Sequence, residues 1–295
     1  MSLESFIAYL SFEKNYSRHT ILAYEKDIQL FEKFVFTEFE QESITKIDYI
    51  EIRSWIITLV DSGLANRTIN RKISSLNSYF KFLQKTEQRQ DNPLAKHKAL
   101  KVSSRVQVPF SENEIKEVLD LLNEDSFLGL RDRLIIELFY STGIRREELI
   151  NLKEADVDFY NSTIKVLGKR DKERIVPMLK TIEKTLKKYL SEKKIKDLKD
   201  EHLFVTEKGN KIYGTLVYRI INTYFSRVSN KVKKSPHIIR HSFATHLLNE
   251  GADLNSVKEL LGHSSLASTQ VYTHTSLEHL KQVYNQAHPR SEKKR

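Results

Sequence analysis

Several residues in the second half of the sequence are of types that bind anions and move protons. Ser235-Pro236 leads into His237-Ile238-Ile239-Arg240, and a proline is well placed in the first turn of a helix. On that helix His237 and Arg240, three apart, share one face and can converge on a single anion. Further on, Leu254 to Leu261 reads as a short helix closed by Gly262, with His263 just beyond it, and Tyr272 follows nine residues later. Upstream, Gly143 ends one helix directly before another opens at Arg145 in Thr142-Gly143-Ile144-Arg145-Arg146-Glu147-Glu148. A cation at a helix start opposes the macrodipole, but an anion bound there would reward both the guanidinium and the free N–H groups.

Taken singly, these residues are ordinary. A histidine after a capping glycine is most often structural, and one tyrosine among 13 is most often packing. A metal reading starts from His237, His241 and His246, the first two at ligand spacing. No glutamate stands between those two as in a HExxH site, the chain has no cysteine, and no carboxylate is in line, so no metal is expected.

Composition narrows the class. The chain has 295 residues, long enough for two domains, and 39% hydrophobic residues, enough for real cores. Lys plus Arg number 49 against 39 acidic residues, a net +10 that suits a polyanionic partner. The N-terminus lacks the basic and apolar regions of a secretion signal. No stretch approaches the roughly 20 apolar residues of a membrane span. The expectation is a cytoplasmic protein without membrane contact.

The elements that must position these residues are mostly helices. Ile21, Tyr24, Ile28, Phe31 and Val35 form one amphipathic stripe, and Ile69, Ile73, Leu76, Phe80 and Leu83 another. Shorter helices around Leu3–Leu10 and Ile47–Leu59 complete a four-helix unit with Trp55 in its core. Its polar faces carry Arg67, Asn70 and Arg71, side chains suited to phosphates and base edges. Asn92-Pro93 stops the last helix, and basic residues 94–109 read as a linker. Ser111-Glu112-Asn113-Glu114 is a capping box that opens the second domain. There the pattern predicts helices near 111–123, 129–141, 145–152, 179–193, 215–229, 237–249 and 254–261. The exception is a β-hairpin of Thr163–Leu167 and Arg174–Pro177, whose turn carries Lys169, Arg170 and Lys172. The expected fold is mainly α with a small β-hairpin or sheet in the second domain. Its boundaries are 1–93 for the helical domain, 94–109 for the linker and 110–295 for the remainder.

Together these motifs resemble the tyrosine recombinase (phage integrase) family. The match runs in order through Thr142-Gly143-Ile144-Arg145-x-x-Glu148-Leu149, Gly168-Lys169, His237-x-x-Arg240-His241, Leu260-Leu261-Gly262-His263 and Tyr272. It extends to the first domain, where Tyr16-Ser17-x-x-Thr20-x-x-x-Tyr24-x-x-Asp27 and Thr68-x-Asn70-Arg71 resemble the family's core-binding, SAM-like domain. Ala287-His288-Pro289-Arg290 resembles the ending of the cell-division Xer branch. The sequence departs from the pattern in having Ile239 where leucine is usual, and Arg146 is a second guanidinium beside Arg145.

The resemblance implies a two-domain DNA clamp that cuts DNA without metal, ATP or other cofactor. Tyr272 would be the nucleophile, forming a 3′-phosphotyrosyl intermediate that a different 5′-hydroxyl reverses. A phenol is a weak nucleophile at its ordinary pKa of about 10, and the attacked phosphate is an anion, so fixed cations must stand where charge develops. Arg145 and Arg240 would supply planar bidentate donors, His237 and His263 would add hydrogen bonds, and His237 would also help move the tyrosine proton. Lys169 would protonate the leaving oxygen, with Lys172 in the same turn as its rival, and Glu148 would support Arg145. The implied partners are double-stranded DNA carrying a specific site, and three further protomers in a homotetramer or a heterotetramer with a paralogue. Regulation by a septal DNA translocase of the FtsK type, in resolving chromosome dimers, belongs to the same branch. Alternatives are a mobile-element integrase, a type IB topoisomerase with the same chemistry, and a non-catalytic DNA-binding accessory protein.

Overall fold

The computed structural model describes residues 3–103, 107–168, 173–262 and 274–291, with backbone only for 274–280. It divides into two compact units, Met1–Arg105 and Val106–Arg295.

The first unit is helical. Helix α1 (Leu3–Ala8) runs into a π-helical turn (Tyr9–Glu13) and is followed by α2 (Arg18–Phe39), α3 (Tyr49–Asp61) and α4 (Asn66–Lys85). Ser17 starts α2 by accepting from the Thr20 amide at 3.3 Å, and Glu51 reaches back to the Asp48 amide at 3.0 Å to start α3. The predicted apolar stripes of α2 and α4 face each other in one core, where Trp55 lies 4.9 Å from Phe31. Asp27 is buried in that core, held by Arg71 at 2.5 and 2.9 Å, Lys72 at 3.0 Å and Ser75 at 2.8 Å. Removing either side of such a buried pair leaves an uncompensated charge, so α2 and α4 are locked in register.

The linker expected at 94–109 needs correction at its start. Leu94 is buried in the first unit's core and Leu100 packs against it. The Asn70 side chain pairs with the Leu100 backbone in both directions, 2.9 Å each way, and Asn66 donates to the Lys101 carbonyl at 2.8 Å. Composition suggested a tether, but two asparagines satisfy its backbone groups and draw it onto α4.

The second unit contains α5 (Glu112–Asp120), α6 (Phe127–Thr142), α7 (Arg146–Asn151), a 3₁₀ turn (Glu154–Asp156) and strands β1 (Val157–Asp158), β2 (Thr163–Leu167) and β3 (Glu173–Pro177). After the sheet come α8 (Lys180–Ile195), α9 (Gly214–Val228), α10 (Pro236–Asn249), α11 (Leu254–Leu261) and α12 (His274–Ala287). The strands are antiparallel in the order β1-β2-β3, with Thr163 opposite Pro177 and Leu167 opposite Glu173. The short β1 extends the predicted hairpin to three strands. Almost all of α6 is buried, making it the axis of this core. The capping box predicted at α5 is present, with Ser111 accepting from the Glu114 amide at 3.2 Å and Glu114 accepting from the Ser111 amide at 2.7 Å.

The end of the chain is anchored in the same core. Tyr284 and His288 are fully buried, and the His288 ring lies 5.4 Å from Tyr140 and 5.9 Å from Phe243. His288 Nδ1 accepts from the Arg290 amide at 3.1 Å, while Nε2 faces the Tyr140 carbonyl at 3.4 Å, the arrangement of a neutral imidazole. Burial pushes the His288 pKa down to about 3, with the Arg290 charge acting the same way and the Tyr140 carbonyl opposing.

A depressed histidine pKa makes stability fall on acidification. The unfolded side chain takes up its proton near pH 6.5, whereas the folded one stays neutral to about pH 3. This contribution is complete above pH 6.5 and declines as pH falls toward 3, by up to about 1.4 kcal/mol per pH unit. Urea unfolding at pH 7.5 and 5 should show a smaller loss for His288→Gln than for the wild type.

Candidate active site

Helix α11 opens with Asp253 accepting from the amides of Asn255 and Ser256 at 2.9 and 3.0 Å. It closes on Gly262 at φ 65°, a left-handed cap that a side chain would strain. The last carbonyls of such a helix have no partner within it. Here three arginines from three other elements take three consecutive carbonyls. Arg174 Nε donates to Leu260 O at 3.1 Å, an Arg240 guanidinium N–H to Leu261 O at 2.7 Å, and one of Arg145 to Gly262 O at 2.9 Å. A cation at a helix C-terminus is electrostatically favoured, and these guanidiniums fix the end of α11 from three sides.

Arg240 also donates to the Gly143 carbonyl, so it joins the ends of α6 and α11. The loop at Gly143 is built for close approach. Gly143 has φ 57°, and a Cβ there would come within 2.6 Å of both Leu261 Cδ2 and Phe243 Cδ1. Thr142 steadies this turn, its hydroxyl donating to Leu138 O at 2.6 Å and accepting from the Ile144 amide at 3.2 Å.

Glu148 is the counter-charge. Its carboxylate accepts from the Arg145 amide at 2.8 Å and the Arg145 guanidinium at 2.7 Å, and from Arg174 twice, at 3.0 and 2.7 Å. Burial alone would raise its pKa, but hydrogen bonds and charge from Arg174 and Arg145 hold it at about 2. Burial lowers the Arg240 pKa to about 10, and the charges of Arg145 and Arg174 add to the effect, so the guanidinium remains charged at neutral pH. Three guanidiniums against one carboxylate leave an excess of two positive charges among these four residues. An arriving phosphate would relieve that repulsion.

His237 stands in the first turn of α10, exposed, one helical turn before Arg240. The structure therefore brings Arg145, Glu148 and Arg240 to the end of α11 and presents His237 on the helix that carries Arg240. Lys169, Lys172, His263 and Tyr272 lie outside the described residues. His246, which the metal reading grouped with His237 and His241, is buried, and its Nδ1 lies 2.8 Å from the Tyr140 hydroxyl. Among the described residues no group of three or more side chains is placed to hold a metal ion.

Residues 109–279 match the Phage integrase family, and residues 3–87 match its N-terminal SAM-like domain. The chain belongs to the phage integrase family. It is 38% identical over 294 residues to the curated "Tyrosine recombinase XerC" of Oceanobacillus iheyensis, covering 98% of this chain and 96% of the relative. It is 36% identical over 291 residues to that of Staphylococcus aureus, covering 98% and 97%. Among solved structures, the XerH site-specific recombinase bound to difH substrate, a pre-cleavage complex, matches with a TM-score of 0.67 at 26% identity. That match covers 96% of this chain and 84% of the other. As a member of the phage integrase family, the chain is a tyrosine recombinase, an enzyme that cuts and rejoins DNA.

One participant, Arg174, belongs to none of the sequence motifs. It opens the predicted strand 174–177, yet it has the same parity as Val176 and faces inward opposite Val166. A charged residue at an inward position was the available signal. The ambiguity between Arg145 and Arg146 has a geometric answer at the α11 end: Arg145 reaches it, whereas Arg146 pairs with Glu147 at the surface at 2.6 Å. In the first unit Arg67 is exposed, Arg71 is half-exposed but paired to Asp27, and Asn70 holds Leu100. No helix of the described residues is long and apolar enough to cross a membrane.

Gly143→Ala should therefore be costly. The left-handed backbone and the crowding by Leu261 and Phe243 together predict a loss of about 2–4 kcal/mol in unfolding free energy. Urea denaturation measures it, and an unchanged midpoint would contradict the geometry.

Proposed function

We propose that this chain is a site-specific recombinase that resolves chromosome dimers at cell division, acting in the cytoplasm on a defined duplex site. The observation that carries the reading is the cluster of Arg145, Arg174 and Arg240 around the single carboxylate of Glu148. It is a positively charged cluster at the end of α11, one residue before His263 in the sequence, in a chain of the phage integrase family. The near full-length similarity to curated XerC proteins supports the cell-division role over that of a mobile-element integrase.

In this reading the scissile phosphate docks on Arg145 and Arg240, whose N–H groups stabilise charge growing on its non-bridging oxygens. Tyr272 attacks phosphorus through its phenolic oxygen, and the bond to the 5′ oxygen breaks. The tyrosine proton leaves with help from His237, while Lys169 delivers a proton to the departing oxygen and His263 donates a further hydrogen bond. Because the phosphodiester is exchanged for a phosphotyrosyl ester, a different 5′-hydroxyl can reverse the step and join new strands without ATP. Arg67 and Arg71 are candidates for phosphate contacts from the first domain. Four protomers, identical or shared with a paralogue, would bring two sites together, with a septal translocase of the FtsK type timing the exchange.

The test is covalent capture. Incubated with a nicked suicide duplex carrying a site recovered by selection from random duplexes, the wild type should form a DNA adduct that survives denaturation. Tyr272→Phe should form none. No adduct from the wild type, or one that persists in the variant, would overturn the reading.

A further inference from the structure

Arg174 has no role in the proposed chemistry, yet it makes the most enclosed contacts of the three arginines. Its side chain is only 5% exposed, so it has no open face for a phosphate. The bidentate fork to Glu148 and the Nε bond to Leu260 O engage donors on both sides of its guanidinium. It also packs on the α11 cap: a Cβ on Gly262 would lie 3.1 Å from Arg174 Cδ. A buried ion pair of this kind adds little net stability over apolar packing, so its presence calls for another reason.

We infer that Arg174 is a positioning residue for DNA cleavage, which neutralises Glu148 so that Arg145 stays available to the phosphate, and which holds the end of α11 where His263 begins. The inference rests on the recombinase reading. With Arg174 present, each Glu148 oxygen is shared between Arg145 and Arg174. Without it, Arg145 becomes the only guanidinium among the described residues on the buried Glu148 carboxylate and is drawn toward it. The cluster's excess falls from two positive charges to one, and Leu260 O loses its cap. Arg174 thus acts on the phosphate only through Arg145 and the α11 end. The predicted signature is a loss of cleavage rate without a matching loss of DNA affinity.

The full chain is compared as wild type, Arg174→Gln, Arg174→Lys and the double variant Arg174→Gln/Glu148→Gln. Single-turnover cleavage of the suicide duplex and affinity for the uncut duplex are both measured. Arg174→Gln should cleave about 10²-fold more slowly, the scale of a small misplacement in a catalytic site. Its affinity should stay within about twofold, because exposed phosphate contacts are untouched. Removing the carboxylate together with its partner should restore about tenfold of the lost rate, since no carboxylate remains to draw Arg145 away from the phosphate. If Arg174→Gln does not fold, Arg174→Lys keeps the buried charge but not the fork, and should show the same split between rate and affinity. Wild-type cleavage by a folded Arg174→Gln, equal losses of rate and affinity, or a double variant no faster than the single one would each overturn the inference. Failure of the wild type itself to form an adduct would instead count against the recombinase reading.

Discussion

The carboxyl end of α11 is the point on which the site depends. A helix of eight residues cannot hold its own last carbonyls, and in a buried setting each unpaired one is expensive. Arg174 from β3, Arg240 from α10 and Arg145 from the start of α7 satisfy them one by one. The same contacts thus stabilise the helix end and fix the arginines. The guanidiniums are aimed by backbone dipoles rather than left to sample rotamers, which is the preorganisation that electrostatic catalysis requires.

That arrangement stores unfavourable electrostatics. Three like charges around a partly buried point repel each other, and burial with that repulsion lowers the Arg240 pKa to about 10. The cluster holds because Glu148, its pKa held at about 2 and so ionised at neutral pH, sits between two of them and because the helix termini of α6 and α11 present carbonyls to the third. Gly143 and Gly262 are the steric condition for this. Both are left-handed caps; a side chain at Gly143 would press on Leu261 and Phe243, and one at Gly262 on Arg174 itself. The short motif around Gly143 is therefore a packing requirement as much as a chemical one.

Much of this architecture was legible in the sequence because local signals agreed with it. Apolar periodicity placed α2, α4 and the helices of the second unit, and glycine and proline marked the ends of α6 and α11 and the start of α10. The strand pairing of 163–167 with 174–177 followed from β-branched residues around a polar turn. What was not legible depends on contacts distant in sequence. Arg174 meets Leu260 across 86 positions and Glu148 across 26, and nothing local in a strand beginning with arginine reveals either partner. Asn70 and Arg71 have structural partners that were hidden for the same reason. Their types suit DNA, but in the fold one holds the backbone of residue 100 and the other pairs with a carboxylate from α2. Arg146 was separable from Arg145 only once the end of α11 was in place.

The end of α11 also ties the described elements of the second unit to one another. Gly262 is held through its carbonyl by Arg145 from the start of α7, and the two carbonyls before it by Arg240 from α10 and Arg174 from β3. Helix α12 packs on α10, α11 and β3, and its fully buried Tyr284 and the following His288 lie in the same core as Leu261 and Phe243. Packing of this density transmits a displacement of one element to its neighbours. A shift of the α11 terminus would therefore move Arg145, Arg240 and Arg174 together, and with them the positive charge on which the proposed reaction relies.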